Sequence, residues 1–138
     1  MQNSDSPTIK NEAPPRWRQI GLWTVKLLLA AVFIAAGCAN LYGVPMLVQN
    51  FEQIGLGQWF RYFTGTLELI GAAALFVPAV ASLGALLLAA IMIGATLTHL
   101  FVLPGSPVPA MVLFALSMMV AWAHRDEKKA AFFRPAKG

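Results

Sequence analysis

Residues 64–98, TGTLELIGAAALFVPAVASLGALLLAAIMIGATLT, contain one ionisable side chain, Glu68, among residues that are otherwise apolar, small or uncharged. Such a stretch is typical of membrane-spanning helices, in which a buried charge carries a free-energy cost. Insertion scales put a central Asp, Lys or Arg at roughly +2.5 to +3.5 kcal/mol, and a Glu near one end of a span should cost less. A residue kept at such a cost normally faces the protein interior and has a partner. Glu68 is therefore the first candidate site residue.

The composition of the whole chain indicates a lipid environment. The 138 residues are 58% hydrophobic and 12% charged, whereas a soluble globular domain is about 45–50% apolar and 25% charged. The formal net charge of +4 comes mainly from basic residues near the termini, and no basic run alternates with aromatic residues, so we expect no nucleic-acid partner. Cys38 is the single cysteine, which excludes an internal disulfide or a C-x-x-C redox pair.

Four apolar stretches are long enough, with small extensions, to cross a bilayer core, which needs about 17–25 helical residues. We place these spans at residues 20–41, 62–80, 82–103 and 107–124. The links at 79–81 and 104–107 are short, and short links make successive helices antiparallel neighbours. The predicted fold is therefore all-α, an antiparallel up-down four-helix transmembrane bundle.

The longer connection between the first and second spans contains a short helical pattern. In residues 46–54, MLVQNFEQI, apolar residues repeat at helical spacing and polar residues take the other side. This pattern predicts a short amphipathic helix that lies in the membrane interface or caps the bundle. Gly55 and Gly57 should end it.

Lysine and arginine residues near the spans predict the orientation. They flank the first and last spans, and the connections carry only Arg61, so both termini should be cytoplasmic, in a bacterial inner membrane. This requires an even number of spans. We expect a disordered cytoplasmic tail at 1–18, a four-span domain at 19–124 and a basic cytoplasmic tail at 125–138. Lys26, near the start of the first span, should extend toward the interface.

The topology brings polar residues from three spans to one end of the bundle. With a rise of about 1.5 Å per residue, Glu68 and His99 each lie on the order of 6–9 Å inside the outer boundary, and Asn40 reaches a similar depth. Arg61 precedes Glu68 by two turns, at the interface. The candidate residues of this outer polar cavity are Glu68, His99, Asn40, Arg61, Thr64 and Thr96.

Two interpretations of these polar residues stay open. Glu68 and His99 could relay a proton or hydrogen-bond a quinone-like headgroup, or they could form a buried pair that holds the second helix against the third. Asn40 is expected to end a helix or to bond between helices. We expect no metal or haem, because His99 and His124 lie at opposite ends of the bundle and no cluster has zinc spacing.

Several of these residues belong to segments that resemble a known family. The segments are 36–43 (AGCANLYG), 51–57 (FEQIGLG) and 65–71 (GTLELIG), followed by Pro78 and His99. Together they resemble the DoxX family of small four-helix membrane proteins, over roughly residues 25–121. The family pattern commonly has Lys where this chain has Asn40. Glu68 would therefore need another partner, such as His99 or Arg61.

The resemblance implies a fold more directly than a reaction. Named relatives include subunits of a thiosulfate:quinone oxidoreductase and membrane components of oxidoreductase complexes, and more distant relatives are chaperones or cargo receptors. We expect an accessory membrane subunit of a quinone-linked redox system, in contact with the lipid bilayer and with redox partner proteins. The alternative is a non-enzymatic helper or chaperone for another membrane protein. Activity of the chain alone and homo-oligomerisation stay open.

A third function, permeation of a small solute, is disfavoured by the sequence. It would need a continuous polar path through the spans. The cytoplasmic half offers little beyond Lys26, Thr24 and Ser117.

Overall fold

The computed structural model describes residues 15–132, with side chains through residue 125. The described residues form five helices and no strand, which confirms the all-α class. The helices are α1 Arg16–Tyr42, α2 Pro45–Ile54, α3 Gln58–Ala74, α4 Ala81–Phe101 and α5 Val108–Phe132. The tail expected at 1–18 lies outside the described residues up to residue 14, and Arg16 to Arg18 already belong to α1. The basic tail expected at 125–138 begins inside α5, and residues 133–138 lie outside the described part.

Three of these helices are long and apolar enough to cross a membrane. They are Arg16–Tyr42, Ala81–Phe101 and, within α5, Val108–Arg125. α3 has 17 residues, which is at the lower limit of about 17–25 residues for a span. Length and composition therefore identify a membrane protein with three candidate spans among the described residues.

α3 differs in position from the second span expected at 62–80. It begins at Gln58 and ends at Ala74, and residues 75–80 form turns, with the Phe76 N–H bonded to the Ala73 carbonyl at 3.2 Å. Pro78 explains this end, because proline has no N–H to donate and disfavours helical geometry in the residue before it. The expected link at 79–81 was too short because the turn residues are themselves apolar.

The short helix expected between the first two spans is confirmed as α2. It begins at Pro45, where the missing N–H of proline is tolerated in the first helical turn. It ends at Gly55, whose φ of +80° lies in the left-handed region that glycine adopts without strain. Gly43, with φ +82°, ends α1 in the same way. These two glycines let the chain change direction on either side of α2.

The four long helices contact one another in a closed order. α1 packs against α3 and α5, and α4 packs against α3 and α5, while α2 packs chiefly against α3. The largest side chains that are fully enclosed between them are Phe33, Leu29, Leu75, Leu88 and Val120. Many large apolar side chains on the outer surface stay exposed, which is expected where the surrounding solvent is lipid.

Glycine pairs set the distance of α3 from its two neighbours. A Cβ atom on Gly65 would lie 2.8 Å from the Asn40 Cβ and 3.0 Å from the Gly37 carbonyl oxygen. On the other side, a Cβ on Gly84 would lie 2.9 Å from the Gly71 carbonyl oxygen. Small residues allow helix backbones to approach this closely in a membrane protein. The Gly37–Gly65 contact places the end of α1 directly against α3.

The buried face of α1 carries a polar residue at each end. Lys26, Phe33 and Asn40 are spaced by seven residues, so they lie on one side of the helix. Lys26 is only 4% exposed, and its ammonium nitrogen lies 4.9 Å from the centre of the Trp23 ring. The stem of Lys26 therefore packs on the buried face of α1, while its ammonium lies beside the exposed Trp23, nearer the start of the helix. The extension of Lys26 toward the interface stays a prediction.

Candidate functional site

Asn40 and Glu68 form the centre of the candidate site. The Asn40 side-chain Nδ2 donates a hydrogen bond of 2.9 Å to Glu68 Oε2, and each residue is 5% exposed. The contacts show that α1 and α3 are antiparallel, since Gly43 lies beside Arg61 while Gly37 meets Gly65. Each Cβ tilts toward the N-terminus of its own helix. The Asn40 and Glu68 side chains therefore point toward each other.

Arg61 connects this pair to α2. Its guanidinium donates one hydrogen bond to the backbone carbonyl oxygen of Asn40, and its Nε donates another, of 2.8 Å, to Gln58 Oε1. Gln58 Nε2 in turn donates to the Val48 carbonyl oxygen of α2 at 3.1 Å. The last carbonyl groups of a helix have no partner within it, so Arg61 satisfies one such group at the end of α1. We call the series from Glu68 through Asn40, Arg61 and Gln58 to Val48 the outer polar chain.

A cavity of about 620 Å³ lies beside this chain. Its walls come mainly from α2, α3 and α4, and most are aliphatic. Its polar lining residues are Asn40, Asn50, Thr64, Glu68, Thr98 and His99, and its aromatic lining residues are Phe51, Phe60 and Phe63. The cavity therefore combines apolar walls with a small group of polar side chains, as sites for small amphipathic molecules do.

His99 lines the cavity without contacting Glu68 through a hydrogen bond. Its Nδ1 is buried and has no hydrogen-bond partner among the described residues. Gly105, with φ +122°, packs beside it, so that a Cβ there would lie 3.7 Å from Nδ1. The pairing of Glu68 with His99 or Arg61 is not what the structure shows, because the Glu68 carboxyl bonds to Asn40. The hydrogen bond at Glu68 therefore joins α3 to α1, not α3 to α4.

Thr64 and Thr96 have different positions relative to the cavity. Thr64 lines it, whereas Thr96 does not, and its Oγ1 donates to the Met92 carbonyl oxygen at 2.7 Å. Thr98 lines the cavity instead, because it shares a helix face with Ala95 at a spacing of three residues. Arg61 is 3% exposed and contributes through Asn40 without lining the cavity.

Sequence reasoning missed several residues of this region. The aromatic residues Phe60 and Phe63, and Gln58 in the outer polar chain, were not candidates. The apolar spacing of residues 46–54 was the available signal for the α2 wall, since Leu47, Phe51 and Ile54 all line the cavity. Gln58 gave no signal, because a single glutamine near a helix start is common on any protein surface.

Three other buried polar residues do not line the cavity. Lys26 on α1, and Ser117 and His124 on α5, are each at most 4% exposed, and none of them lines the cavity. We call this group the Lys26 end, and we call the region of Asn40, Arg61, Glu68 and His99 the Glu68 end. α1 packs against α5 as well as against α3. α1 therefore contributes a residue to each end, Lys26 to one and Asn40 to the other.

A known protein family matches a part of the chain that includes both ends. The model of the DoxX-like family matches residues 24–124. The chain belongs to the DoxX-like family. The match includes the residues of the Glu68 end and of the Lys26 end, and it confirms the resemblance to the DoxX family. No curated protein and no solved structure matches the chain significantly.

Proposed function

We propose that this DoxX-like protein is an accessory membrane subunit of a quinone-linked redox system, and that its cavity binds the ring headgroup of a quinone-type molecule. The cavity carries the proposal. Its aliphatic and phenylalanine walls suit a ring with an apolar tail. Glu68, Asn40 and His99 lie together on its lining and supply hydrogen-bonding groups for a polar ring substituent.

The proposal includes α3 as a fourth span, in a bacterial inner membrane with both termini cytoplasmic. Seventeen helical residues extend about 25 Å, slightly less than a hydrocarbon core of about 30 Å. α1 and α4, both candidate spans, pack against α3. A short span between two longer ones is accommodated by local thinning of the bilayer.

Cysteine labelling from outside the cell tests this topology. In a Cys38→Ala background, cysteines are introduced one at a time at the exposed positions Ala79, in the turn after α3, and Ser106, before α5. Four spans predict that Ser106→Cys reacts with an impermeant maleimide in intact cells and that Ala79→Cys reacts only after lysis. The reverse pattern would contradict four spans with cytoplasmic termini.

Equilibrium binding of a short-chain alkyl benzoquinone to the detergent-solubilised protein tests the cavity. Gly94 lines the cavity, and a Cβ atom there would meet no atom within 4 Å. We expect Gly94→Phe to fill the cavity and to weaken binding at least about tenfold, a change of about 1.4 kcal/mol. Gly21→Phe is the matched control, because a Cβ on Gly21 also meets nothing within 4 Å and Gly21 does not line the cavity. Equal binding by both variants would contradict the proposal.

Purification in a mild detergent separates this function from that of a non-enzymatic helper. A redox subunit should co-purify with an oxidoreductase, and that complex should lose quinone-dependent activity in the Gly94→Phe variant. A helper should co-purify with client membrane proteins, and the capture of those clients should be insensitive to Gly94→Phe.

A further inference from the structure

The most deeply buried polar groups on the cavity lining are Asn40 and Glu68, each 5% exposed. Asn40 Nδ2 donates one of its two hydrogens to Glu68 Oε2, so this nitrogen is held against the carboxyl. The other carboxyl oxygen, Oε1, takes part in no hydrogen bond within the described residues. When it is ionised, the Glu68 carboxylate accepts hydrogen bonds through both oxygens and donates none.

Asn40 adds a second acceptor to this part of the cavity. Its side-chain oxygen, Oδ1, is buried and has no hydrogen-bond partner among the described residues. An amide oxygen is an acceptor at every pH. The positive guanidinium of Arg61 is directed away from the cavity, toward the Asn40 carbonyl oxygen and Gln58. The deepest polar part of the cavity therefore presents two unpaired acceptor oxygens, Asn40 Oδ1 and Glu68 Oε1, beside the second N–H of Asn40.

We infer that the cavity prefers a ring ligand that carries hydroxyl groups over the same ring carrying carbonyl groups. The inference rests on the proposed function and specifies the oxidation state of the bound molecule: an aromatic diol, the reduced form of a quinone. A diol donates two hydrogen bonds, whereas a quinone only accepts. A quinone has no hydrogen to donate to Asn40 Oδ1 or Glu68 Oε1, so these acceptors would stay unpaired beside it.

The other polar residues on the lining are compatible with this preference. Thr98 already donates its hydroxyl to the Gly94 carbonyl oxygen at 2.8 Å. His99 has an unpaired Nδ1, and a neutral imidazole offers one acceptor nitrogen and one donor N–H. Asn50 and Thr64, which also line the cavity, each carry donor and acceptor groups. These residues can pair with a ring hydroxyl or with a ring carbonyl. The half-buried phenylalanines Phe51 and Phe60, whose ring centroids are 5.9 Å apart, supply aromatic surface for either oxidation state. Discrimination must therefore come from the Glu68–Asn40 pair.

Three ring probes of nearly the same shape test the inference on the wild-type protein. They are an alkyl benzoquinone, its hydroquinone, and the dimethyl ether of that hydroquinone, each measured by equilibrium binding without oxygen. We expect the hydroquinone to bind at least about tenfold more tightly than the quinone, as the pairing of one or two buried acceptors predicts. The dimethyl ether, which has no donor, should bind no better than the quinone.

Glu68→Gln and its control identify the residue responsible. Glutamine adds two donor hydrogens at the position of the carboxyl, so a quinone carbonyl gains a partner. The ratio of hydroquinone affinity to quinone affinity should therefore fall toward one. Glu52→Gln is the matched control, because Glu52 is exposed on α2 and does not line the cavity. Its ratio should equal that of the wild type. If Glu68→Gln does not fold, the affinity ratio of the wild-type protein tests the inference by itself.

The outcomes separate this inference from the proposed function. Binding of the quinone as tightly as the hydroquinone, with both blocked by Gly94→Phe, would overturn the inference and leave the proposed function standing. Binding of none of the three probes would overturn both. An unchanged ratio in a folded Glu68→Gln protein would also overturn the inference.

Discussion

The Glu68 end and the Lys26 end differ in what surrounds their buried polar groups. Asn40 and Lys26 lie on the same face of α1 and are almost equally buried, at 5% and 4% exposure. Asn40 borders a cavity of about 620 Å³, whereas Lys26 does not line it. Burial of a polar side chain in a membrane protein is therefore compatible with either a structural or a functional role of that side chain. The open volume beside the side chain is what points to a ligand.

Apolar residues separate Asn40 from Lys26 on α1. The two residues are fourteen positions apart, which is about 21 Å along the helix axis. Leu29, Ala30 and Phe33, which lie between them on the helix, are buried. The buried face of α1 is therefore apolar between its two polar residues.

The largest effect on this comparison should come from separating α1 from α3 with Gly65→Leu. A Cβ at Gly65 already lies 2.8 Å from the Asn40 Cβ, so the larger side chain must push the helices apart. We expect a loss of about 3 kcal/mol in the free energy of unfolding, at the upper end of overpacking costs, measured by denaturation in detergent micelles.

The same substitution at Gly21 is the control for Gly65→Leu. A Cβ at Gly21 meets no atom within 4 Å, so Gly21→Leu should leave the stability nearly unchanged. Equal losses in the two variants would show that the effect comes from leucine itself and not from the α1–α3 contact.

Arg61→Ala should have the next largest effect, through the outer polar chain. It removes the donor to the Asn40 carbonyl oxygen and to Gln58, which itself bonds to α2. We expect a loss of about 2 kcal/mol, since hydrogen bonds to charged groups contribute roughly 1.5–3 kcal/mol. Hydrogen exchange should also become faster in residues 45–54.

The control for Arg61→Ala is Arg18→Ala, because Arg18 is exposed in the first turns of α1. It should change neither the stability nor the exchange of α2. If exchange in α2 were the same in both variants, the outer polar chain would not be what holds α2 in place.

Asn40→Ala and Lys26→Met should show the smallest change, in ligand affinity. Asn40→Ala removes the polar group that bonds to the Glu68 carboxyl at the cavity. We expect the alkyl hydroquinone to bind about tenfold more weakly to this variant. Lys26→Met, at the end without the cavity, should leave the affinity within about twofold. Similar losses in both folded variants would mean that burial, not the cavity, determines which residues matter for binding.

Much of the fold could be predicted from the sequence, because the signals are local. The apolar length of α1, α4 and α5 and the amphipathic spacing of α2 each fall within one segment. α3 was harder, since residues 75–80 are apolar and yet form turns. Hydropathy does not distinguish an apolar turn from an apolar helix, and Pro78 was the one local signal of the end.

The candidate site was predicted as a location but not as a set of contacts. Depth along the spans brought Asn40, Glu68 and His99 to one end, and all three line the cavity. The partner of Glu68 depends on how each helix is rotated about its own axis, which the glycine contacts of α3 determine. The choice between Thr96 and Thr98, and the burial of Lys26, depend on the same rotations.

Photolabelling with an azido-substituted alkyl benzoquinone tests most directly whether the cavity is a binding site. After illumination of the protein in lipid nanodiscs, peptide mass spectrometry locates the labelled residues. The label should concentrate on residues 47–68 and 90–103, which include most of the lining, and should be lost in Gly94→Phe but not in Gly21→Phe. Label spread evenly over the exposed faces of α1 and α5, and unchanged by Gly94→Phe, would contradict the account.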